Sequence, residues 1–411
     1  MFRMLRRFLL CMLISGSFAL PAEQGSANLK SLYAAHDLFE LREAMRGKNG
    51  PALYRGAVAV AFADWRDAER QFGSVFQAAP HSEEAYEAHE WLTYFFMRTG
   101  HYQDAVLETE RKWAARPEKA DSTSEHAWVA SFRHLLDQEV TYRRASVVRY
   151  KVKKDKLFVP LSINGKSAEF FLDTGANLSF LSESEAKRLG LSVQESNAKS
   201  YGAAGAQAAF RTAVAQELTV GGIRLRNVAF MVLHDDEPVF PELEPGERGA
   251  IGLPVLLAMG TIQWNASGDF RIGFPPDSGR IEQNLCFDGA NPVTRLEFEQ
   301  RQLNASFDTG DEVSEMGPAF AKQFAVFVNQ HGKKSTKRVE GFGGSTELKE
   351  MLLPELRFKV GGLQVVLHPA HVLLGPTGEG SHSHFATVGL DLLRQARQVT
   401  IDFEGLRLML E

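Results

Sequence analysis

The chain has 411 residues, room for about two or three domains with sizeable cores. Its composition is that of a soluble globular protein, 44% apolar and 24% charged, and a formal net charge of -5 gives no electrostatic basis for nucleic-acid binding. That class of partner is set aside.

Residues 1–22 read as a targeting signal. Arg3, Arg6 and Arg7 precede the apolar run Phe8 to Leu20, and small residues stand at Ser17, Ala19 and Ala22. Export with cleavage after Ala19 or Ala22 is expected, which implies a periplasmic or secreted protein. The alternative is an uncleaved membrane anchor, for which the run is short. Cys11 lacks the preceding small residues of a lipid-attachment site. Cys286 would be the only thiol of the mature chain, so no intrachain disulfide is expected and stability rests on burial.

From about Asn28 to Leu136 the sequence is rich in Ala, Glu, Arg and Leu at helical spacing, which predicts an all-helical region over 28–142. An offset of 37 residues sets Trp65-Arg66-Asp67-Ala68, Phe72, Phe76 and Pro80 onto Tyr102-Gln103-Asp104-Ala105, Thr109, Trp113 and Pro117. This pattern resembles the second helix of a tetratricopeptide repeat, whose period is about 34. The resemblance implies a concave surface for a protein partner or a substrate segment; the other reading is a packing domain. Trp91, Tyr94, Phe95 and Phe96 are assigned to its core. Asp121 to Ser124 is read as a turn before a last helix, Glu125 to Gln138, with the domain boundary between Thr141 and Val148.

From Val147 onward short β-type runs alternate with Gly, Asn and Pro: Val147 to Val152, Leu157 to Ile163, Ala168 to Leu172. This part of the sequence repeats. Phe170-Phe171-Leu172-Asp173-Thr174-Gly175 is answered by Ala305-Ser306-Phe307-Asp308-Thr309-Gly310. The Gly-rich segment Ser200-Tyr201-Gly202 begins the turn in the first copy, and Glu340-Gly341-Phe342-Gly343-Gly344 forms it in the second. Val220-Gly221-Gly222-Ile223 corresponds to Val360-Gly361-Gly362-Leu363. Ala250-Ile251-Gly252 corresponds to Thr387-Val388-Gly389, lying 79 residues from Asp173 to Gly252 and 81 from Asp308 to Gly389. Each copy ends in a hairpin signal, at Thr261-Ile262-Gln263-Trp264 and Thr400-Ile401-Asp402-Phe403.

The unit of apolar strand, Asp-Thr-Gly, Gly-rich flap and later Ile-Gly or Val-Gly resembles a lobe of an aspartic peptidase, and more the short retropepsin-like type than pepsin. The resemblance covers roughly Val147 to Glu411. It implies an all-β bilobal fold, with lobes at 147–275 and 292–411 joined by a linker over 276–291, and a cleft between them. Retropepsins pair two chains to build that cleft, whereas duplication here supplies both halves, so a monomer should suffice.

Peptide hydrolysis without a metal or a covalent nucleophile needs water activated by a base while an acid protonates the carbonyl oxygen. Two carboxylates sharing a proton supply both, because neighbouring like charges cannot both ionise easily. Asp173 and Asp308 are assigned this role, and which one holds the proton is a property of the pair. Gly175 and Gly310 leave room for the backbone to approach the pair. The resemblance implies that Thr174 and Thr309 interlock between the lobes. It places Tyr201, Gly202, Gly341 and Phe342 in flaps over the substrate. Asp311 and Glu312 depart from the family pattern, and their charges are expected to raise the effective pKa of the pair or to mark a degenerate site.

Two other signals compete. His368, His371, His382 and His384 have spacing that could hold zinc, but no Cys or carboxylate pair completes a ligand set. The acidic stretch Asp235 to Glu247 reads as a solvated loop, with a bias toward basic substrates as the alternative. No metal or cofactor is expected. The sequence thus predicts an exported aspartic endopeptidase acting on a peptide or unfolded protein, with a non-catalytic peptide-binding or scaffolding protein as the alternative.

Overall fold

The computed structural model describes residues 22–120, 122–202, 205–276, 282–375 and 384–411, with side chains from residue 28 onward. The targeting segment before Ala22, Asp121, His382 and part of the expected linker lie outside the described residues.

Seven α-helices come first among the described residues: α1 (Ala22–Ala34), α2 (Leu38–Met45), α3 (Ala52–Ala61), α4 (Trp65–Ala78), α5 (Glu83–Arg98), α6 (Tyr102–Ala115) and α7 (Thr123–Phe132). Their starts are set by side chains that accept otherwise orphaned N–H groups: Asp64 takes that of Asp67, Ser82 that of Ala85 and Ser122 that of Glu125. The segments matched at an offset of 37 are α4 and α6, each of 14 residues. Ala68 and Ala105, their equivalent small residues, are fully buried. Helices pack tightly here, since a Cβ on Gly56 would lie 2.3 Å from the Phe72 ring. Tyr94 departs from its assignment to the core, being 42% exposed, whereas Trp91 is buried.

The last helix stops at Phe132 rather than Gln138. The Gln138 N–H donates to the Gly100 carbonyl at 2.8 Å, and the Asp137 carboxylate accepts the Gln103 N–H at 2.9 Å. These contacts turn the chain into the strand Glu139–Arg143, which pairs with Ile223–Leu233. A strand therefore occupies the end of the span expected to be helical. The expected linker likewise holds a strand, Leu285–Asp288, paired with Asn291–Phe298; its Leu285, Cys286 and Phe287 are too apolar to remain in solvent and are buried.

A β-rich half-barrel region follows the helices. Its first sheet sets Ile223–Leu233, Ser179–Ser182, Gly249–Ile251, Lys166–Leu172, Lys156–Ile163 and Arg211–Val220 side by side. The second sets Ala370–Leu373, Glu315–Met316, Ala386–Val388, Arg301–Phe307, Asn291–Phe298 and Leu356–Val360 in the corresponding order. Parallel and antiparallel neighbours also alternate in the same sequence, with Lys166–Leu172 parallel to Gly249–Ile251 as Arg301–Phe307 is to Ala386–Val388. One difference is at Pro369, which has no N–H for a ladder: the second unit has two strands, Leu363–Leu367 and Ala370–Leu373, where the first has one.

A third sheet joins the units. The hairpins Thr261–Asn265/Asp269–Ile272 and Gln398–Asp402/Arg407–Leu410 lie edge to edge, with Thr261 opposite Asp402 and Asn265 opposite Gln398. One apolar core runs through both units and includes Phe170, Leu253, Phe307 and Leu390. The helices share cores with each unit: Tyr102 and Phe132 pack with Phe171 and Phe180, and Trp91 belongs to a cluster with Cys286 and Val293.

Candidate active site

Asp173 and Asp308 stand just after two equivalent central strands, Lys166–Leu172 and Arg301–Phe307. The strands end in buried apolar residues, Phe170 to Leu172 and Phe307, so each carboxylate sits at the edge of a core. The Asp173 N–H donates to Ile251 O and the Asp308 N–H to Val388 O, both at 3.0 Å. Gly252 and Gly389 lie behind the turns: a Cβ there would come within 2.6 Å of Leu178 and 2.8 Å of Asp311 backbone. Ser179 and Ser314 reinforce this support, their hydroxyls accepting the Gly252 and Gly389 N–H groups at 3.1 and 2.8 Å.

The two turns meet through their threonines, both buried and therefore in need of partners. Thr174 Oγ1 donates to Phe307 O at 2.8 Å and accepts the Thr309 N–H at 3.0 Å. Thr309 Oγ1 donates to Leu172 O at 3.0 Å and accepts the Thr174 N–H at 3.1 Å. This exchange puts each glycine against the opposite acid. A Cβ on Gly175 would lie 2.1 Å from Asp308 Oδ2, and one on Gly310 would lie 2.6 Å from the Asp173 carboxyl carbon.

Burial, followed by the charge of Asp308, pushes the Asp173 carboxyl up to about 8. Burial raises Asp308 too, although the Gly310 N–H, which donates to its Oδ1 at 2.7 Å, pulls it down. Lys156 opposes the rise at both acids. Its Nζ donates to Gly310 O at 2.7 Å, lies 3.3 Å from Glu312 Oε1 and sits 5.1 Å from the centre of the Phe171 ring. Glu312 is thus paired with a cation from the first unit rather than left as a charge repelling the pair. Asp311 is different: burial first, then the charges of Asp308 and Glu315, raise its carboxyl well above the usual range.

The expected flaps face each other above these turns. Tyr201 ends the strand Lys199–Tyr201, is 47% exposed, and accepts a hydrogen bond from Gln207 Nε2 at 2.7 Å. Gly341, Phe342 and Gly343 form the tip of a longer hairpin, Lys333–Gly341/Gly344–Leu353. That tip crosses to the first unit. The Phe342 ring meets Phe180 edge-on at 4.8 Å, the Gly343 N–H donates to Glu237 Oε2 at 2.9 Å, and a Cβ on Gly202 would be 2.4 Å from Phe342 backbone.

The acidic stretch is a largely solvent-facing loop, as expected, anchored by the buried Phe240 and Leu243. Its charges are largely engaged: Asp235 accepts the Ser184 N–H at 3.1 Å and Glu242 pairs with Lys154 at 2.8 Å. Two of these histidines are held by separate partners, His371 by Glu350 at 2.7 Å and His384 by Ser306 at 2.8 Å. No group of three or more metal-ligating side chains occurs among the described residues.

Asp173, Asp308, Tyr201, Gly202, Gly341 and Phe342 line one cleft of about 2290 Å³, together with residues of helices α5 to α7. Sequence reasoning missed Lys156 and saw Glu237 only as one charge of an acidic stretch, because both are distinguished only by what the fold brings near them. Tyr94 and Trp128 on the cleft wall were legible only as helical aromatics.

Residues 159–255 match the family described as aspartyl protease. No curated protein matches the chain. Among solved structures, the chain is similar to a retropepsin-like aspartic protease from Rickettsia conorii, with 16% identity, 33% of this chain and 94% of that one covered, and a TM-score of 0.22. The retroviral protease-like domain of Ddi1 from Leishmania major shares 16% identity over 30% of this chain and 97% of its own, with a TM-score of 0.18. The protein edgp shares 11% identity over 66% and 95%, with a TM-score of 0.31. Similarity to the aspartyl protease family thus covers part of the chain, residues 159–255.

Proposed function

We propose that this protein is an exported aspartic endopeptidase, with both lobes of a bilobal peptidase in one chain and a tetratricopeptide-like helical domain ahead of them. The observation that carries this reading is the meeting of Asp173 and Asp308 across the threonine exchange, with two carboxyls held together where burial raises both and the charge of Asp308 disfavours ionisation of Asp173. In that state one carboxylate takes a proton from water as the water oxygen bonds the carbonyl carbon, while the other, still protonated, gives its proton to the carbonyl oxygen; the C–N bond then breaks as the first acid passes its proton to the leaving amine and a diol hydroxyl returns one to the second. An extended peptide would lie under the two flaps and offer its backbone as an added strand would. Both acids are on one chain, so catalysis needs no second copy. Periplasmic or extracellular action follows from the N-terminal signal pattern.

The test is hydrolysis of a denatured casein from acid to neutral pH. Asp173→Asn and Asp308→Asn should each lower the rate on the order of 10³-fold or more. Full activity in either variant would overturn the assignment. The second reading is a peptide-binding protein whose cleft holds without cutting, and it draws on Asp311, an acid beside the pair that the family pattern lacks. Peptide affinity that survives both Asn substitutions in a chain without wild-type hydrolysis would select it.

A further inference from the structure

Helices α5 and α7 turn unusual faces toward the cleft. Glu90, Tyr94 and Met97 fall on one stripe of α5, and Glu125, Trp128 and Phe132 fall on one stripe of α7, each at the three- and four-residue steps that share a helix face. All six line the same cleft as Asp173 and Asp308. Tyr94 is 42% exposed there, and the half-buried Trp128 stacks on Phe132 with ring centres 4.8 Å apart.

The acidic members are already engaged. Glu125 accepts from Lys112 Nζ at 2.5 Å and from Trp113 Nε1 at 2.6 Å, and Glu90 lies 3.5 Å from the same lysine. What remains for a ligand is the aromatic surface of Tyr94 and Trp128, since Met97 and Phe132 are themselves buried. It is also fixed in place: Ser131 of α7 bonds Ser196 of the first unit at 2.5 Å, and a Cβ on Gly289 of the second unit would lie 3.3 Å from the Tyr94 ring.

We infer that this face of α5 and α7 is a second substrate-binding surface, taking an unfolded, apolar segment of the polypeptide whose scissile bond lies at Asp173 and Asp308. The role of the acids here rests on the peptidase reading, and the identity of the occupant on the continuity of the cleft. Large apolar side chains facing a water-filled cleft are favourable mainly when a ligand covers them. The segment that reaches them without leaving the cleft is a continuation of the bound chain. At about 3.3 Å per residue, a peptide of about 8 residues spans roughly 26 Å, and one of about 16 reaches twice as far.

The test compares two fluorogenic peptides with the same central sequence, one of about 8 residues and one lengthened on both sides by Leu- and Phe-containing segments to about 16. The wild-type chain should favour the longer peptide in kcat/KM, chiefly through KM. Tyr94→Ala and Trp128→Ala, on different helices, should each reduce the ratio of long to short at least about fivefold, equivalent to about 1 kcal/mol of apolar contact. Extensions of Ser and Asp should show little preference to lose. An unchanged ratio in both variants, with hydrolysis intact, overturns the proposal and leaves the peptidase reading standing. Fluorescence anisotropy of the labelled long peptide gives a readout independent of cleavage. Binding weakened by both substitutions in a chain that hydrolyses nothing would keep this surface and remove the peptidase reading; binding insensitive to both would overturn the surface.

Discussion

Lys156 shows how one residue changes the meaning of a sequence departure. Asp311 and Glu312 read together as two charges added beside the acids, but Lys156 Nζ lies 3.3 Å from Glu312 and spans from the first unit to the Gly310 carbonyl of the second. Its positive charge favours the ionised form of both acids. Lys156→Met therefore leaves both carboxyls with higher pKa values. In a profile whose acid limb is protonation of the base and whose alkaline limb is ionisation of the acid, both limbs move to higher pH. The rate on the acid side should fall roughly three- to tenfold. Measured pH–kcat/KM profiles of the two forms check this, and an unmoved profile would exclude the lysine from the electrostatics of the pair. The Asp-Thr-Gly pairs, the glycines and the threonines were visible in the sequence because the geometry demands those residue types. Lys156 was not visible: a lysine at the start of a strand acquires its role from a partner 156 residues away at Glu312.

At the scale of elements, the two hairpins expected to act as flaps are unequal. The hairpin Lys333–Gly341/Gly344–Leu353 has long strands whose residues are largely exposed or half-buried, and it reaches the first unit through the Phe342 ring and the Gly343 N–H. An edge-on aromatic pair is worth about 0.5–1.5 kcal/mol beyond the area it buries. Phe342→Ala should therefore raise hydrogen exchange across the outer part of this hairpin roughly two- to tenfold, leaving the sheet containing Asp308 protected. Equal exchange in both proteins would show that the tip contact does not hold the hairpin. The Gly-rich signals at Tyr201 and Gly341 marked both hairpins in the sequence. Their contact could not be read, because it joins Phe180 to Phe342 and no local pattern links those positions. The helix boundary at Phe132 was missed for a similar reason: Gly100 and Gln103, far back in the chain, capture Gln138 and Asp137 and end the helical path.

Across the whole molecule, the repeated order of landmarks foretold two β units with matching strand order, and the helical spacing foretold the helices before them. It did not foretell how firmly the helices attach. Arg98 is 1% exposed, and its guanidinium donates to Gly289 O of the second unit and Val60 O of α3, both at 2.6 Å, over the Phe287 ring. Burial lowers its pKa to about 9. Arg98→Ala would leave the buried Val60 carbonyl and the half-buried Gly289 carbonyl without donors and should cost about 2–4 kcal/mol, read as a lower urea midpoint at unchanged slope. A midpoint within error of wild type would mean that water replaces the guanidinium. On the other side, Gln138 Nε2 donates to Pro254 O at 2.8 Å and Asn227 Nδ2 donates to Asp137 O at 3.2 Å.

The edge-to-edge pairing of the hairpins at Thr261 and Asp402 has a mechanical consequence once these attachments are counted. The two β units are joined below by a continuous ladder, in the middle by the threonines and at the side by the helices. A frame braced at three places resists hinging about any one of them. Access to the cleft is then expected to depend on the lightest fastening in the assembly, the tip of one hairpin, where the Phe342 ring and backbone and the Gly343 N–H meet the first unit, so that the protein resembles a fixed housing with one latch more than a pair of jaws.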